Sequence, residues 1–159
     1  MKDIIKSREE MKNIVELLKT DGKKVVFTNG CFDIIHAGHV DYLAKAKAKG
    51  DILIIGLNTD ESVSRIKGKL RPIINQTERA FVLSNLRSVD YLTLFNEDTP
   101  LELISQIMPD VLVKGADWSI ENIVGSDVVL ANGGSVEPID FVVEQSTSKI
   151  VAKIKESYK

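Results

Sequence analysis

The chain has 159 residues, enough for one compact domain and too few for two full cores. Its 43% hydrophobic and 28% charged residues are those of an ordinary globular protein, and a formal net charge of −2 argues against a general affinity for nucleic acid. A single cysteine excludes an internal disulfide and suits a reducing cytoplasm, and no apolar run approaches the roughly 20 residues that a bilayer span requires.

In chain order, Arg8–Thr20 carries Met11, Ile14, Val15, Leu17 and Leu18 at helical spacing, and Asp21–Gly22 ends the helix. Lys24–Asn29 is β-branched and apolar and predicts a strand. The stretch "TNGCFDIIHAGH" (Thr28–His39) follows, with two glycines, the one cysteine and both histidines of the chain. His39–Gly50, rich in alanine and lysine, predicts a helix closed by glycine. Asp51–Asn58 is apolar on both faces, as a buried parallel strand is. A short helix starts at Thr59 or Asp60. Lys67–Gln76 reads as a basic loop, Thr77–Arg87 as a helix and Asp90–Asn96 as a strand. Thr99–Met108 predicts a helix with Pro100 in its first turn, and Asp110–Gly115 a strand. Ser119–Gly134 is partly helical, with Gly125 as an interruption; Ser135–Asp140 is a short strand and Ser146–Lys159 a terminal helix.

Strand and helix thus alternate along the chain. The pattern predicts an α/β fold: a Rossmann-like, doubly wound parallel sheet of about five strands with helices on both faces. We expect a single domain, with residues 1–22 as an N-terminal helix, 23–150 as a catalytic core and 146–159 as a C-terminal helix. Ligands of such folds bind at the carboxyl ends of the strands, and the histidine-containing stretch follows the first strand.

Gly30 and Gly38 flank a turn from strand to helix. A helix starting at Ala37 or Gly38 directs free N–H groups and its positive dipole end into that turn, which makes an anion site. Neither the dinucleotide fingerprint nor the P-loop pattern is present. His36 and His39, three apart, share a helical face, where imidazoles can donate to a phosphate and to charge that develops in phosphoryl transfer. The alternative is a structural role, each ring bonding a backbone carbonyl. Cys31, Asp33, His36 and His39 could ligate zinc, but there is no C-x-x-C and no second cluster. Cys31 lacks a further histidine to serve as its base, so it reads as a packed residue rather than a nucleophile.

"GCFDIIHAGH" matches the G-x-F-D-x-x-H-x-G-H signature of the cytidylyltransferase-like nucleotidyltransferases, and "STSKI" (Ser146–Ile150) resembles their second signature at the start of a late helix. Together with "NTDESVSRIKGKLRPI", "EDTP", "PDVLVKGADW" and "ANGG", the pattern is similar to the adenylyltransferases of ADP-heptose synthesis across roughly Lys24 to Ile150. The resemblance implies transfer of AMP from ATP to a sugar 1-phosphate, with release of pyrophosphate. Such a reaction needs no general base, because the nucleophile is already anionic. It needs two polyanions held in line and their charge stabilised.

On this resemblance His36, His39 and Lys67 are the catalytic candidates. Thr28, Asn29, Gly30, Phe32 and Gly38 belong to the nucleotide turn, although Phe32 also reads as packing. Lys114, Gly115, Asp117 and Trp118 lie just past the fourth strand at the ligand edge and are assigned to the nucleotide, with Asp117 and Trp118 meeting the nucleoside and a buried structural role as the alternative for Trp118. Ser146, Thr147 and Ser148 hold ATP phosphates or simply cap the helix. Asp33, Lys69, Arg71 and Arg79 are assigned to substrate phosphate, with an ion-pair role as the alternative for Arg79 and a loop-orienting role for Asp33. Arg65, Lys67, Lys69 and Arg71 put four cations within seven residues, a phosphate clamp if not a solvated surface. Lys47 reads as part of a solvated helix face. Mg²⁺ is expected on the ATP phosphates, with no direct protein ligand.

Glu144, where the related motif often has glycine, and Ser148, where threonine is usual, are departures from the pattern. The expected setting is cytoplasmic, with ATP and a sugar 1-phosphate as partners, no nucleic acid, no membrane, and a homodimer or higher homo-oligomer. The alternatives are a cytidylyltransferase acting on glycerol 3-phosphate or a similar polyol phosphate, and a non-catalytic nucleotide-binding regulatory domain.

Overall fold

The computed structural model describes residues 4–115, 120–140 and 146–158. The expected alternation is present. Five strands, β1 (Val25–Gly30), β2 (Ile52–Asn58), β3 (Tyr91–Phe95), β4 (Val111–Gly115) and β5 (Ser135–Ile139), form one all-parallel sheet in the order β3-β2-β1-β4-β5. The helices are α1 (Arg8–Thr20), α2 (Ala37–Lys47), α3 (Asp60–Lys67), α4 (Gln76–Ser84), α5 (Leu101–Ile107), α6 (Ser126–Ala131) and α7 (Thr147–Ser157).

The sheet is apolar on both sides because both sides are covered. Val26, Leu53, Ile55 and Val113 point into one core with Leu43 and Ala46 of α2 and Leu83 of α4. Phe27, Ile54 and Leu112 point into a second core with Met11 and Val15 of α1 and Leu103 and Ile104 of α5. Alternate residues of each strand therefore serve opposite cores, as the unbroken apolar runs in the sequence require. Burying a side chain of this size contributes roughly 1.5–3 kcal/mol.

Four local features refine the sequence reading. First, α3 continues through Lys67, so the basic segment begins inside a helix and the loop proper starts at Gly68, whose φ is 97°. Second, the segment after β4 holds a 3₁₀ turn at Ile120–Asn122 and the short α6. They are separated at Gly125, where φ is 85° and a Cβ would meet Ile104 Cδ1 at 2.7 Å. Third, α2 begins at Ala37 and α7 at Thr147. Fourth, Ile4–Lys6 runs beside β3: Ile5 bridges Leu92 in parallel, Lys6 N–H donates to the Leu92 carbonyl and Leu92 N–H to the Ile4 carbonyl, both at 2.9 Å.

The strand order reverses between β1 and β4. All five strands are parallel, so the carboxyl ends of β1, β2 and β4 gather at one edge, where such sheets open a crevice.

Candidate active site

A cavity of about 520 Å³ lies at that edge, within the range of small-molecule sites. Its floor is the turn after β1. Gly30 ends the strand, and Phe32 then takes a positive φ of 45°, a conformation that favours glycine. The Phe32 ring folds back so closely that a Cβ on Gly30 would lie 3.0 Å from Phe32 Cε2. Gly30 therefore makes room for a buried ring, which packs edge-on against His39 with centroids 5.2 Å apart. Phe32 reaches the cavity wall, but its role is to orient His39 rather than to bind through polar contact.

His36 is the N-cap residue of α2, in an extended conformation and with no side-chain cap bond, so the first N–H groups of α2 are left for a ligand. One turn on, His39 stacks on it, with ring centroids 3.8 Å apart and planes inclined by 22°. Nδ1 of each ring is buried without a hydrogen-bond partner. Burial lowers the His36 pKa. Burial, and then the neighbouring His36 ring, push His39 down to about 4, partly offset by the Ile34 backbone. Both imidazoles are neutral at pH 7. Only His39 is on the cavity wall; His36 supports it from behind. Gly38, between them, is buried in the first turn of α2.

The expected basic clamp divides sharply. Lys67 and Arg71 reach the cavity, whereas Lys69 is exposed and off its wall. Arg65 is turned away, bonded through Nε to Asp98 Oδ1 at 2.8 Å. Arg71 donates its Nε–H to Asp33 Oδ2 at 2.5 Å. Asp33 also accepts from the N–H groups of Ile73 and Ile74 at 2.8 and 2.9 Å. Burial alone would raise the Asp33 pKa, but the Ile74 and Ile73 N–H groups and the Arg71 guanidinium more than offset it and hold the carboxyl below its usual range. The substrate-phosphate role assigned to Asp33 is thus corrected: its oxygens are occupied, and it ties the turn after β1 to the loop after α3.

Arg79 is corrected in the same way. It is 1% exposed and donates to the carbonyls of Ile74 and Cys31 and to Asp60 Oδ1. No guanidinium face remains for a phosphate. Thr28 also leaves the list of cavity residues. It is fully buried, and its hydroxyl is 2.7 Å from that of Tyr42, which donates onward to the Val113 carbonyl. Thr28 stands two residues before the strand end, on the face that packs against Tyr42 of α2, whereas Asn29, next along the strand, faces the other way and reaches the cavity wall.

On the other side of β1, Lys114 Nζ donates to Asn29 Oδ1 at 2.8 Å, and both residues line the cavity. Gly115 ends β4, buried and off the wall. Ser146 caps α7 through a bond from Lys149 N–H at 3.1 Å. Thr147 and Ser148, the next two residues, reach the cavity, and the Thr147 hydroxyl approaches the Ile34 carbonyl at 3.5 Å. Asp117, Trp118 and Glu144 lie outside the described residues. Lys47 is bound to Asp90 at 2.5 Å rather than solvated.

The cavity also has residues that lie in or beside the quoted motifs but were given no role there. Asn58 at the end of β2, Thr99 and Pro100 after β3, and Ile123 complete its walls. The carboxyl-end rule points to Asn58, the last residue of β2, and to the "EDTP" segment, which begins just past β3. As for a bound metal, Asp33 is saturated, Asp98 is engaged by Arg65, and among the described residues no group of three metal-binding side chains occurs.

A family model described as cytidylyltransferase-like matches residues 27–152. The chain belongs to this family. It is a nucleotidyltransferase domain, and the match runs from β1 into α7, enclosing every wall of the cavity. Among curated proteins, it is 55% identical to the bifunctional protein HldE of Citrifermentans bemidjiense over 97% of this chain and 32% of that protein. It is 56% identical to the HldE of Campylobacter concisus over 96% of this chain and 31% of that protein. The chain therefore spans about a third of the length of these relatives. Of solved structures, the lipopolysaccharide core biosynthesis protein of Thermoplasma volcanium superposes with a TM-score of 0.63 at 28% identity, over 78% of this chain and 100% of the other. A pantoate-beta-alanine ligase from Francisella tularensis shares the fold, with a TM-score of 0.62 at 14% identity over 91% of this chain and 69% of the other.

Proposed function

We propose that the protein transfers AMP from ATP to a sugar 1-phosphate, D-glycero-β-D-manno-heptose 1-phosphate, giving ADP-heptose and pyrophosphate. The observation that carries the reading is the stacked His36–His39 pair at the start of α2, with His39 on the wall of the cavity that Lys67 and Lys114 also line. The choice of sugar rests on the resemblance to the adenylyltransferases of ADP-heptose synthesis and on the relatives named HldE.

In this reading a phosphate oxygen of the sugar phosphate attacks the α-phosphorus of ATP. The bond from that phosphorus to the bridging oxygen breaks, and pyrophosphate leaves with the electron pair. No proton has to be removed from the nucleophile. The α2 N–H groups and His39 stabilise the negative charge that spreads over the transferring group, and His36 holds the His39 ring in place. Lys67 holds the acceptor phosphate, while Lys114, Thr147 and Ser148 hold the nucleotide phosphates. Mg²⁺ enters as part of the substrate, Mg-ATP. The reading places the enzyme in the cytoplasm, where ATP is supplied, as a homodimer or higher homo-oligomer.

The test is pyrophosphate release across a matrix of ATP and CTP against sugar 1-phosphates and glycerol 3-phosphate, for the parent and for His39→Ala. We expect ATP with the heptose 1-phosphate to be turned over best. His39→Ala should lower kcat by about 10²–10³, the effect of losing one transition-state donor, with little change in ATP affinity. Preference for CTP, or near-normal turnover by the variant, would overturn the reading.

A further inference from the structure

Asn58 is 4% exposed, yet it stands on the cavity wall at the carboxyl end of β2. In the sheet register Leu57 is level with Gly30, the last residue of β1, so Asn58 lies one step beyond, beside the turn. Its amide has one orientation consistent with its neighbours. Ser62 Oγ is 3.0 Å from the Glu97 carbonyl, which can only accept, so the serine hydroxyl donates there. The serine lone pairs then accept from Asn58 Nδ2 at 3.0 Å. The Asn58 Oδ1 atom is therefore held facing the other way, and among the described residues its partner is the Cys31 thiol at 3.9 Å, a weak donor. A buried carbonyl oxygen with nearly all its acceptor capacity unused is thus locked in place on the cavity wall.

An acceptor of this kind is complementary to a hydroxyl and not to a phosphate oxygen, which would be repelled. Its position says which substrate supplies the hydroxyl. Lys114 is on β4, on one side of β1; Asn58 is on β2, on the other side, with Lys67 and Thr99 on the same wall. If the nucleotide phosphates lie over β1, β4 and the start of α7, the space over β2 is left to the acceptor substrate.

Resting on the function proposed above, we propose that Asn58 is a specificity-determining residue: its Oδ1 accepts a hydrogen bond from one hydroxyl of the sugar ring of the acceptor. Ser62 is the positioning residue that prevents the amide from flipping. The chemistry selects a phosphate that presents a hydroxyl at this position over one that presents an apolar group of similar size.

The experiment compares the best sugar 1-phosphate of the parent enzyme with its monodeoxy analogues, each at saturating Mg-ATP, and repeats the series with Asn58→Ala. One deoxy position should cost the parent about tenfold in kcat/KM, as one hydrogen bond to a neutral group does. Asn58→Ala should lose a similar factor with the complete sugar, no longer distinguish that deoxy analogue, and keep its KM for ATP within twofold. Were Asn58→Ala to fail to fold, Ser62→Ala is read in its place and should shrink the same deoxy penalty. The proposal is overturned if no deoxy position matters to the parent, if the penalty persists in the variant, or if the sensitivity moves to 2′- or 3′-deoxy-ATP, which would make the ribose the partner. Absence of turnover with every sugar phosphate would bring down the function itself, whereas normal turnover without the deoxy signature would bring down only the role of Asn58.

Discussion

Arg79 Nη2 lies 2.7 Å from Asp60 Oδ1, joining the body of α4 to the first turn of α3 through a guanidinium that is fully buried. Its other N–H groups reach the carbonyls of Ile74 and Cys31. One side chain thus fastens two helices, the basic loop and the floor of the active-site cavity.

Replacing Arg79 with alanine should cost about 3–5 kcal/mol of stability, since it leaves a carboxylate and two carbonyls unpaired. Arg79→Lys should recover little of this, because an ammonium cannot span three acceptors with the geometry of the planar fork. Urea unfolding of the two variants measures both effects. A loss below about 0.5 kcal/mol would mean that the knot is replaceable by water.

The histidine pair predicts an acid-sensitive fold. The His39 pKa is about 4 in the native state against an ordinary 6.5 in the unfolded chain. Between these values the unfolded state binds more protons, so stability is fully present above pH 6.5 and is lost as the pH falls toward 4. The gap corresponds to at most about 3 kcal/mol, less where water screens the ring. His39→Gln should flatten the pH dependence of Tm between pH 6.5 and 4. A curve parallel to the parent would show that the ring is not desolvated.

Lys67 and Lys69, two residues apart, should respond in opposite ways. Lys67→Ala removes a charge-assisted contact of about 1.5–3 kcal/mol and should lower kcat/KM for the sugar phosphate about tenfold or more. Lys69→Ala, exposed and off the wall, should stay within twofold of the parent. Steady-state kinetics at two salt concentrations checks the pair, with equal effects refuting the division of the clamp.

The Cys31 thiol lies on the cavity wall, and burial pushes its pKa up, with Lys67, Arg79 and Arg71 acting in the opposite direction. A maleimide should therefore label it slowly, and the label should inactivate the enzyme by filling the turn. Mg-ATP should slow the labelling further, while Cys31→Ser should remain largely active and resist the reagent. Labelled protein with full activity would place the turn away from the nucleotide.

The sheet could be read from the sequence because β1, β2 and β4 each open on a run of apolar residues and strand and helix alternate along the chain. Of the caps read from the sequence, Thr59 and Ser146 accept cap bonds, whereas α5 starts at Pro100 without a side-chain cap from Thr99; the caps at Ser7 and Asn75 emerge only in the structure. The histidine turn was legible for a similar reason, since its spacing and the local helix start fix its geometry. What could not be read was which polar side chain is already engaged by the rest of the fold. Asp33 and Arg71 are 38 positions apart and Arg79 and Cys31 are 48, so their bonds depend on the docking of the loop after α3 onto the turn after β1. A basic run looks uniform in one dimension. In three, Arg65 is taken by Asp98, Arg71 by Asp33, and Lys67 alone of the two lysines reaches the cavity.

The short pairing of Ile5 with Leu92 occupies the outer edge of β3, and at the other margin of the sheet β5 contains Pro138, which has no N–H to offer. Both borders are thus poor templates for strand addition. A second copy of the chain cannot readily be recruited by extending the sheet. Trimming the residues before Ser7 should expose the Leu92 backbone and turn a closed margin into a seed for aggregation.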